Sequence, residues 1–323
     1  TIADLKTEIR KLKKNDPDNK IILTGCAAQI HKDEFVAMNE IDSIIGNKEK
    51  LESKTYKELK ESNDRINKVG DIFEHGQAIS PIIKKVENRI RGFVQIQNGC
   101  DHRCTFCIIP YGRGDSRSVE PENVVNQINT LLDQGYKEIV LTGVDLTSYG
   151  HDLENKPNLA TLVSHILFSI PNLKRLRLSS LDVAEIDKNL MDLIKYEKRI
   201  LPHIHLSLQA GDNMILKRMK RRHLRDDAIS VINEIRSVRS EVVFGADIIA
   251  GFPTENDEMF QNTVDLIEDC NITFLHIFPF SPREGTPAAR MPQVDRYIIK
   301  KRAKILREIG KKKLLEYYDG LKN

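Results

Sequence analysis

Between residues 91 and 280, short apolar segments alternate with amphipathic segments of helical length. The apolar segments, rich in Val, Ile, Leu and Phe, predict six strands: GFVQIQN, KEIVLTGV, LKRLRLSS, HIHLSLQ, VVFGADIIAGF and ITFLHIFPF. The segments between them predict helices: PENVVNQINTLLDQG, NLATLVSHILFSI, DKNLMDLIKYE, RDDAISVINEIRSV and NDEMFQNTVDLIEDC. Strands that alternate with helices form βα units on a parallel sheet, so the chain is predicted to be α/β.

Six predicted strands are too few for a closed barrel of eight βα units. A partial barrel and an open doubly wound sheet both accommodate them. In either architecture the chemistry lies at the carboxyl ends of the strands. The unusual motifs of this chain follow the predicted strands directly, as both architectures require.

The flanking regions differ from this repeat. Residues 1–50 read as helix, strand, helix and short apolar segment, which predicts a small α/β unit. Residues 51–90 are polar without a clear period and are predicted to be a linker or a wrapping segment. Thr rather than Met stands at residue 1, and a long helical pattern runs to the last residue. We therefore expect a chain truncated at both ends.

Composition limits the class of protein. Of the 323 residues, 40% are hydrophobic and 30% charged, which is typical of a globular protein. No apolar run is long enough to cross a bilayer and the first twenty residues are charged, so we expect neither membrane association nor a signal peptide. The net charge of +3 permits nucleic-acid binding without indicating it. Five cysteines without a secretory signal favour a reducing compartment, here the cytoplasm.

Three cysteines, Cys100, Cys104 and Cys107, directly follow the first predicted strand. A tetrahedral zinc site needs a fourth ligand, usually from a second cysteine pair, and the sequence has no such pair. His102 could complete a zinc site only by straining this short loop. Three thiolates on one loop instead suit three corners of a [4Fe–4S] cluster and leave one iron without a protein ligand. Gly99 gives the backbone freedom to start the loop. A cluster is the preferred interpretation and zinc the alternative.

The CxxxCxxC motif after the first strand of a six-fold βα repeat resembles the radical S-adenosylmethionine (SAM) superfamily. Over nearly all of residues 91–290 the chain is similar to the methylthiotransferases of that superfamily. The segments that carry the resemblance are VQIQNGCDHRCTFCIIPYGRGDSRS, LTGVDLTSYG, HLSLQAGDNMILKRMKRRH, DIIAGFPTEN and SPREGTPAA. They are most similar to the enzymes that methylthiolate threonylcarbamoyladenosine beside the tRNA anticodon. Enzymes for isopentenyladenosine more typically have Gly-Gln-Asn after the second strand, and those for a ribosomal-protein aspartate Gln-Asp.

The resemblance implies a fold and a chemistry. It implies a (βα)6 partial barrel over residues 91–323 with a C-terminal helix, a partial N-terminal methylthiotransferase domain with linker over residues 1–90, and no RNA-binding TRAM domain. SAM would chelate the open iron of the cluster. An electron donor such as flavodoxin or ferredoxin would trigger cleavage of SAM to a 5′-deoxyadenosyl radical, and a second SAM would supply the methyl group. The target base would be splayed from the tRNA anticodon loop into the barrel mouth.

The resemblance also assigns SAM-binding roles to residues at the strand ends. These cofactor-binding residues are Phe106, Gly143, Asp145, Ser180, Gln209, Arg221, Gly251 and Phe252. Ordinary alternatives remain open for several of them. Asp145 could be a helix N-cap, Ser180 a turn residue, and Gly251 with Phe252 a simple strand-to-helix turn. Arg221 would bind the SAM carboxylate, but it lies in a basic run of the kind that is usually solvated, or that contacts tRNA phosphates.

Cys26 ends the N-terminal strand in LTGCAAQ. A lone cysteine there is usually a buried small apolar residue. The resemblance implies instead that Cys26 is one of three ligands of a second [4Fe–4S] cluster, with the other two upstream of this chain. Cys270 has no motif and is predicted to be structural. The nine histidines show no metal spacing, and His203 and His205 on the fourth strand are predicted to pack.

Three other functions stay open at this point. The same chemistry could act on isopentenyladenosine in tRNA or on a ribosomal-protein aspartate. A radical SAM enzyme with one cluster is a second possibility. A metal-cluster RNA-binding module without catalysis is the alternative from a different class.

Overall fold

A computed structural model describes residues 2–62, 64–74 and 89–322. The N-terminal unit is a three-stranded parallel sheet in the order β1-β2-β3. Its strands are β1 (Ile22–Thr24), β2 (Ser43–Ile45) and β3 (Ile66–Lys68). Its helices are α1 (Ile2–Asn15), α2 (Cys26–Ile30), α3 (Lys32–Val36) and α4 (Ser53–Glu61), with a 3₁₀ turn at Glu49–Leu51. The apolar faces of α1, α3 and the sheet pack together around the fully buried Phe35.

Residues 51–74 correct the prediction of an irregular linker. They contain α4 and the third strand of the N-terminal sheet, β3. The sequence hid both elements because α4 buries only Thr55 and Leu59, and β3 is three residues long and has no buried residue. Such short, mostly solvated elements carry little periodic signal. The remainder of the predicted linker, residues 75–88, lies outside the described residues.

The larger unit contains six parallel strands in the order of the sequence, as predicted. They pair as two sheets, β4-β7-β8 and β9-β10-β11, joined by the bridges Leu176–Ile200 and Leu181–Leu206. The strands are β4 (Arg91–Gln95), β7 (Glu138–Thr142), β8 (Leu176–Leu178), β9 (His203–Gln209), β10 (Val243–Ala250) and β11 (Phe274–Pro279). The strand order has no reversal, unlike that of an open doubly wound sheet, and among the described residues no pairing joins β4 to β11. The α/β partial barrel is therefore confirmed.

Helices cover the outside of this barrel. They are α5 (Ile109–Arg113), α6 (Pro121–Asp133), α7 (Leu159–Ser169), α8 (Lys188–Tyr196), α9 (Asn213–Met219), α10 (Arg225–Val238), α11 (Asp257–Asp269) and α12 (Arg296–Gly320). Short 3₁₀ turns lie at Leu146–Ser148, Val183–Glu185 and Pro287–Arg290. Most of these helices, namely α6, α7, α8, α10, α11 and α12, bury one apolar face against the strands in one continuous core, where each buried Leu or Ile contributes about 1.5–3 kcal/mol. The buried residues of α9 belong to a second apolar cluster, with Phe252 and Phe280.

The chain between β4 and α6 leaves the barrel through a two-residue antiparallel ribbon. Its strands are β5 (Gln97–Asn98) and β6 (Arg117–Ser118), which pair Gln97 with Ser118. The ribbon brings the two ends of residues 99–116 together, so this segment is a closed loop with a fixed base. The three clustered cysteines and α5 both lie on it.

The C-terminal helix α12 is fixed to the segment that follows β10. Arg302 of α12 is buried, with its guanidinium 2.8 Å from Glu255 and 2.7 Å from Asp257. The helix also packs on β11. Within the described residues, no helix combines the length and the apolar character needed to cross a bilayer.

Candidate functional site

At its start, the cysteine loop has a backbone conformation that only glycine tolerates. Gly99 has φ +78°, and a Cβ there would lie 1.9 Å from the carbonyl oxygen of Asp115. Across the same gap, Ser116 N–H donates to Asp101 Oδ1 at 2.8 Å. Arg103 donates to the Cys100 carbonyl at 2.8 Å. The two sides of the loop therefore hold one another closely at its base.

Thr105, between the second and third cysteines, ties the loop to distant parts of the chain. Its N–H donates to the Met219 carbonyl at 3.1 Å, and its hydroxyl donates to the Arg218 carbonyl at 2.7 Å. Its own carbonyl accepts from Ala288 N–H at 2.9 Å. The cysteines are thus positioned from the end of α9 and from the turn at Pro287–Arg290, not by the loop alone.

The thiols open into a cavity of about 160 Å³ at the carboxyl ends of the strands. Eight residues predicted for the site line this cavity: Cys100, Cys104, Phe106, Cys107, Asp145, Ser180, Gln209 and Arg221. Five further residues complete the lining: His102, Ile109, Val144, Asp182 and Ser207. The structure therefore brings these eight predicted residues together at one cavity, where Asp182 is a further acidic residue that the sequence did not suggest.

Two predicted glycines do not line the cavity. A Cβ on Gly143 would lie 2.9 Å from Gln97 Oε1, and one on Gly251 would lie 2.6 Å from Ile299 of α12. Both therefore permit the close approach of another part of the chain. Gly251 also has φ +73°, so only a residue without a side chain fits there.

Phe252 is also absent from the cavity lining. Its ring is fully buried and packs edge-on against Phe106 at 6.4 Å and against Phe280 at 5.5 Å between ring centroids. The sequence predicts Phe252 as a cofactor-binding residue. The structure instead places Phe252 behind Phe106, which it supports.

Gln97 is a buried residue of the site that sequence reasoning missed. Its side-chain NH₂ donates to the Gly99 carbonyl at 2.7 Å and to Ser116 Oγ at 2.9 Å, while its carbonyl oxygen accepts from Asp145 N–H at 2.9 Å. One side chain thus connects the loop to the end of β7. A polar residue following an apolar strand, in VQIQNGC, was the only available signal.

Burial raises the pKa of the Cys100 thiol to about 12, with a further contribution from the Asp145 carboxylate. Burial also raises the pKa of Cys107. Thiolates are therefore unfavourable here unless a cation compensates their charge. A cluster of iron ions supplies that compensation, so the donor set fits the three-cysteine cluster expected from the sequence.

His102 lines the cavity with the thiols, but its ring nitrogen contacts carboxylates. Its Nε2 lies 2.9 Å from Asp145 Oδ2 and 3.5 Å from Glu185 Oε1. Hydrogen bonds to these two carboxylates raise the pKa of His102 to about 10, against the lowering effects of burial and of Arg222, which lies 2.7 Å from the same nitrogen. Because the His102 Nε2 is already engaged by two carboxylates and a guanidinium, this geometry disfavours His102 as a fourth zinc ligand.

Asp145 does not act as the N-cap that was the alternative interpretation. It precedes the turn Leu146–Ser148, but its side chain makes no capping bond to that turn's backbone. It accepts instead from Ser148 Oγ at 2.7 Å, and its Oδ2 lies 3.7 Å from Cys100 Sγ. The carboxylate is therefore oriented towards the cysteine loop.

Arg221 is not part of a solvated basic face. Its side chain is 8% exposed and pairs with Asp182 at 3.0 Å, and it donates to the Ser207 carbonyl at 2.7 Å. Its Nη1 lies 3.9 Å from Cys104 Sγ. Its Nε–H is buried and has no hydrogen-bond partner among the described residues. A left-handed residue, Lys220 (φ 62°), ends α9 and turns the chain so that Arg221 faces the cavity.

Gln209 reaches the cavity through an uncommon backbone conformation. It ends β9 with φ +70°, in the left-handed region that costs a non-glycine residue about 1–2 kcal/mol. The surrounding barrel maintains this conformation, and the side chain lines the cavity beside Ser207. Strain of this kind is concentrated at binding sites.

Cys26 lies at the contact between the N-terminal unit and the cysteine loop. Arg113 Nε donates to Cys26 Sγ at 3.1 Å, and Asn47 Nδ2 lies 3.7 Å from the same sulfur. A Cβ on Gly112 would lie 3.0 Å from the Cys26 Cβ. Two hydrogen-bond donors therefore face the half-buried Cys26 thiol. One of them, Arg113, belongs to α5, the helix that follows Cys107 in the cysteine loop.

Comparison with known proteins places this geometry in context. The model of the radical SAM superfamily matches residues 94–267. The threonylcarbamoyladenosine tRNA methylthiotransferase MtaB of Rickettsia prowazekii is 52% identical over 96% of this chain and 73% of its own length. The MtaB of Aquifex aeolicus is 39% identical over 96% of this chain and 76% of its own.

A relative with a different activity in its name is less similar than these two. A tRNA-2-methylthio-N(6)-dimethylallyladenosine synthase of Neorickettsia sennetsu is 34% identical over 96% of this chain and 67% of its own length. Among solved structures, the cobalamin-dependent radical SAM enzyme OxsB aligns with a TM-score of 0.57 at 13% identity, over 93% of this chain and 46% of that one. At 13% identity, the similarity to OxsB concerns the fold alone.

Proposed function

Because the chain belongs to the radical SAM superfamily and, within it, to the tRNA methylthiotransferases of the MtaB type, we propose that it methylthiolates the 2-position of threonylcarbamoyladenosine at position 37 of tRNA. It is a transferase that uses SAM and a [4Fe–4S] cluster. The observation that carries the proposal is the joint lining of one cavity by three thiols, Asp145 and Arg221.

Each lining group has a role that its chemistry supports. Cys100, Cys104 and Cys107 would hold the cluster, which with SAM supplies the electron transfer and the radical that activates a C–H bond. The unpartnered Nε–H of Arg221 is available to an anionic group, and the guanidinium fork suits the SAM carboxylate. Asp145 is an anionic acceptor for the SAM ammonium group or the ribose hydroxyls.

The remaining residues position these groups and exclude water. Phe106, supported from behind by Phe252, presents an apolar surface to the cavity. Asp182 neutralises Arg221 and fixes its orientation. Because these contacts exist before any ligand binds, little reorganisation is needed when the cofactor enters.

The choice of substrate rests on the relatives. The two MtaB relatives, from Rickettsia prowazekii and Aquifex aeolicus, are named for threonylcarbamoyladenosine. They are more similar to this chain than the dimethylallyladenosine synthase of Neorickettsia sennetsu is. We propose the anticodon loop as the part of tRNA that is bound, and a small electron carrier such as flavodoxin or ferredoxin as the reductant. A tRNA substrate implies a cytoplasmic location.

A second cluster is a further part of this proposal. Cys26 would supply one of its three ligands, with the other two upstream of residue 1. Arg113 and Asn47 direct hydrogen-bond donors at the Cys26 sulfur, as suits a sulfur that ligates a cluster. We also propose the division at residue 90 between the N-terminal unit and the radical SAM domain.

One experiment tests the activity. A strain lacking the gene is complemented with the full-length gene, and tRNA nucleosides are measured by mass spectrometry. We expect 2-methylthio-threonylcarbamoyladenosine to disappear on deletion and to return on complementation. Loss of only the isopentenyl product would contradict the substrate assignment. If reduced, cluster-loaded protein produced no 5′-deoxyadenosine from SAM, the non-catalytic RNA-binding alternative would replace the enzyme.

A further inference from the structure

Three side chains on adjacent strands meet inside the barrel, apart from the cofactor cavity. His205 of β9, Asp247 of β10 and His276 of β11 place their ligand atoms within 4.8 Å of one another. Asp247 Oδ1 lies 3.1 Å from His205 Nε2 and 3.2 Å from His276 Nδ1. Both imidazoles approach the same oxygen, so the three donors converge on one small region.

We propose that His205, Asp247 and His276 form a binding site for a divalent transition-metal ion such as Zn²⁺. Two imidazoles with one carboxylate are a donor set that zinc and ferrous iron both accept, with positions left open for water. Carboxylate and imidazole donors on three different strands would join the edge strand β11 to its two neighbours through the metal.

The spacing of the donors agrees with coordination. A metal with bonds of about 2.1 Å sets adjacent donor atoms about 3.0 Å apart in octahedral geometry and about 3.4 Å apart in tetrahedral geometry. The two separations between Asp247 and the imidazoles, 3.1 and 3.2 Å, fall between these limits. These two separations therefore need little change to accept an ion, and the two imidazole nitrogens lie within 4.8 Å of each other.

A glycine on the neighbouring strand leaves room for the His205 ring. Gly245 pairs with His205 across β9 and β10, and a Cβ on Gly245 would lie 2.5 Å from His205 Nδ1. The absence of a side chain at residue 245 thus makes room for the imidazole. Asp247 pairs directly with His276 in the register of β10 and β11.

The three proposed ligands differ in their exposure to solvent. The side chains of His205 and Asp247 are 10% and 22% exposed, whereas that of His276 is 62% exposed. An ion can therefore enter from the His276 side and become partly desolvated against the other two ligands.

This site is distinct from the cysteine site. His205 lies two residues before Ser207, roughly 7 Å along β9 from the cavity lining, and none of the three proposed ligands lines that cavity. His203 provides a matched control, because its ring stacks on that of His205 at 6.5 Å but it is not among the converging ligands.

The test uses the anaerobically reconstituted chain with its iron–sulfur cluster in place. The protein is incubated with Zn²⁺ and gel-filtered, and zinc and iron per chain are measured by mass spectrometry. We expect about one zinc per wild-type chain, a loss of about tenfold or more in Asp247→Asn and in His276→Gln, and retention in His203→Gln. Iron should be unchanged in all four proteins. Because His276 is exposed, His276→Gln should not impair folding.

Absorption spectroscopy at the zinc edge excludes capture of zinc by cysteines. Nitrogen and oxygen ligands at about 2.0–2.1 Å support the proposal, whereas sulfur ligands at about 2.3 Å overturn it. If the wild type bound no zinc, or if His276→Gln bound as much zinc as the wild type, the proposal would be wrong. His205, Asp247 and His276 would then be only a hydrogen-bonded His–Asp–His group. None of these readouts depends on methylthiolation, so they remain decisive if the proposed activity is wrong.

Discussion

Arg221 and Asp182 form an ion pair of 3.0 Å in which the side chains are only 8% and 6% exposed. The pair lies at the wall of the cofactor cavity, with Arg221 Nη1 3.9 Å from Cys104 Sγ. A buried pair is costly to break, because removing one partner leaves the other charge uncompensated. It is also rigid, and therefore suited to orient a ligand.

Arg221→Lys should weaken SAM binding while the protein stays folded. Lysine keeps the charge opposite Asp182 but loses the planar fork and the buried Nε–H. We expect SAM affinity, measured by anaerobic equilibrium binding, to fall by about 10- to 100-fold. Arg225→Lys is the control, because Arg225 pairs with the exposed Asp269 away from the cavity. Unchanged affinity in Arg221→Lys would remove Arg221 from the SAM site.

Substitution of single cysteines should separate cluster ligands from structural thiols. We expect Cys100→Ser, Cys104→Ser and Cys107→Ser each to lose the visible absorption and most of the iron of the reconstituted chain, because a three-ligand site has no spare thiolate. Cys270→Ser should retain both, since Cys270 is buried in the barrel core. Normal iron content in Cys104→Ser would refute the ligand assignment.

Gly99→Ala should prevent correct closure of the cysteine loop. The added Cβ would meet the Asp115 carbonyl at 1.9 Å, and φ +78° is unfavourable for alanine by about 1–2 kcal/mol. Gly135→Ala is the matched control, because Gly135 has φ +92° but nothing within 4 Å of an added Cβ. Both variants should melt at lower temperature, but only Gly99→Ala should lose iron. Equal iron content in the two would show that the loop adapts.

His203 should make the protein less stable in mild acid. Burial, with a contribution from Arg177, lowers the pKa of His203 to about 4, whereas the unfolded chain titrates near 6.5. Between these values the unfolded state binds more protons, so stability falls as the pH decreases. Denaturant unfolding at pH 7 and pH 5 should show a smaller loss for His203→Gln than for the wild type. An equal loss in both proteins would contradict the lowered pKa.

The sequence predicted the elements that have strong periods. The fourth strand, HIHLSLQ, and the helix RDDAISVINEIRSV coincide with β9 and α10 residue for residue. The third strand was predicted too long, as LKRLRLSS, because only Leu176–Leu178 pairs. The helix α9 was missed because its NMILKRM segment merges into the basic run that follows.

The site was predicted where residue type alone fixes the chemistry. Three cysteines on a short loop predict a cluster wherever the loop lies. Contacts between distant segments leave no local signal, so the pairing of Asp182 with Arg221 and the link from Gln97 to Asp145 were not foreseen. For the same reason, the meeting of His205, Asp247 and His276 could not be inferred from histidine spacing, since they lie on three different strands.

The anchoring of Thr105 has a consequence for the order of synthesis and assembly. The loop residues leave the ribosome early, but the groups that fix Thr105 belong to residues 218, 219 and 288. A nascent chain that ends before Arg218 therefore has none of the partners of Thr105, and one that ends before Ala288 still lacks the last of them. Iron and sulfide delivered during translation would reach a cysteine loop that is not yet held in place. We therefore expect the cluster to be inserted after translation, when the barrel that positions the loop is nearly complete.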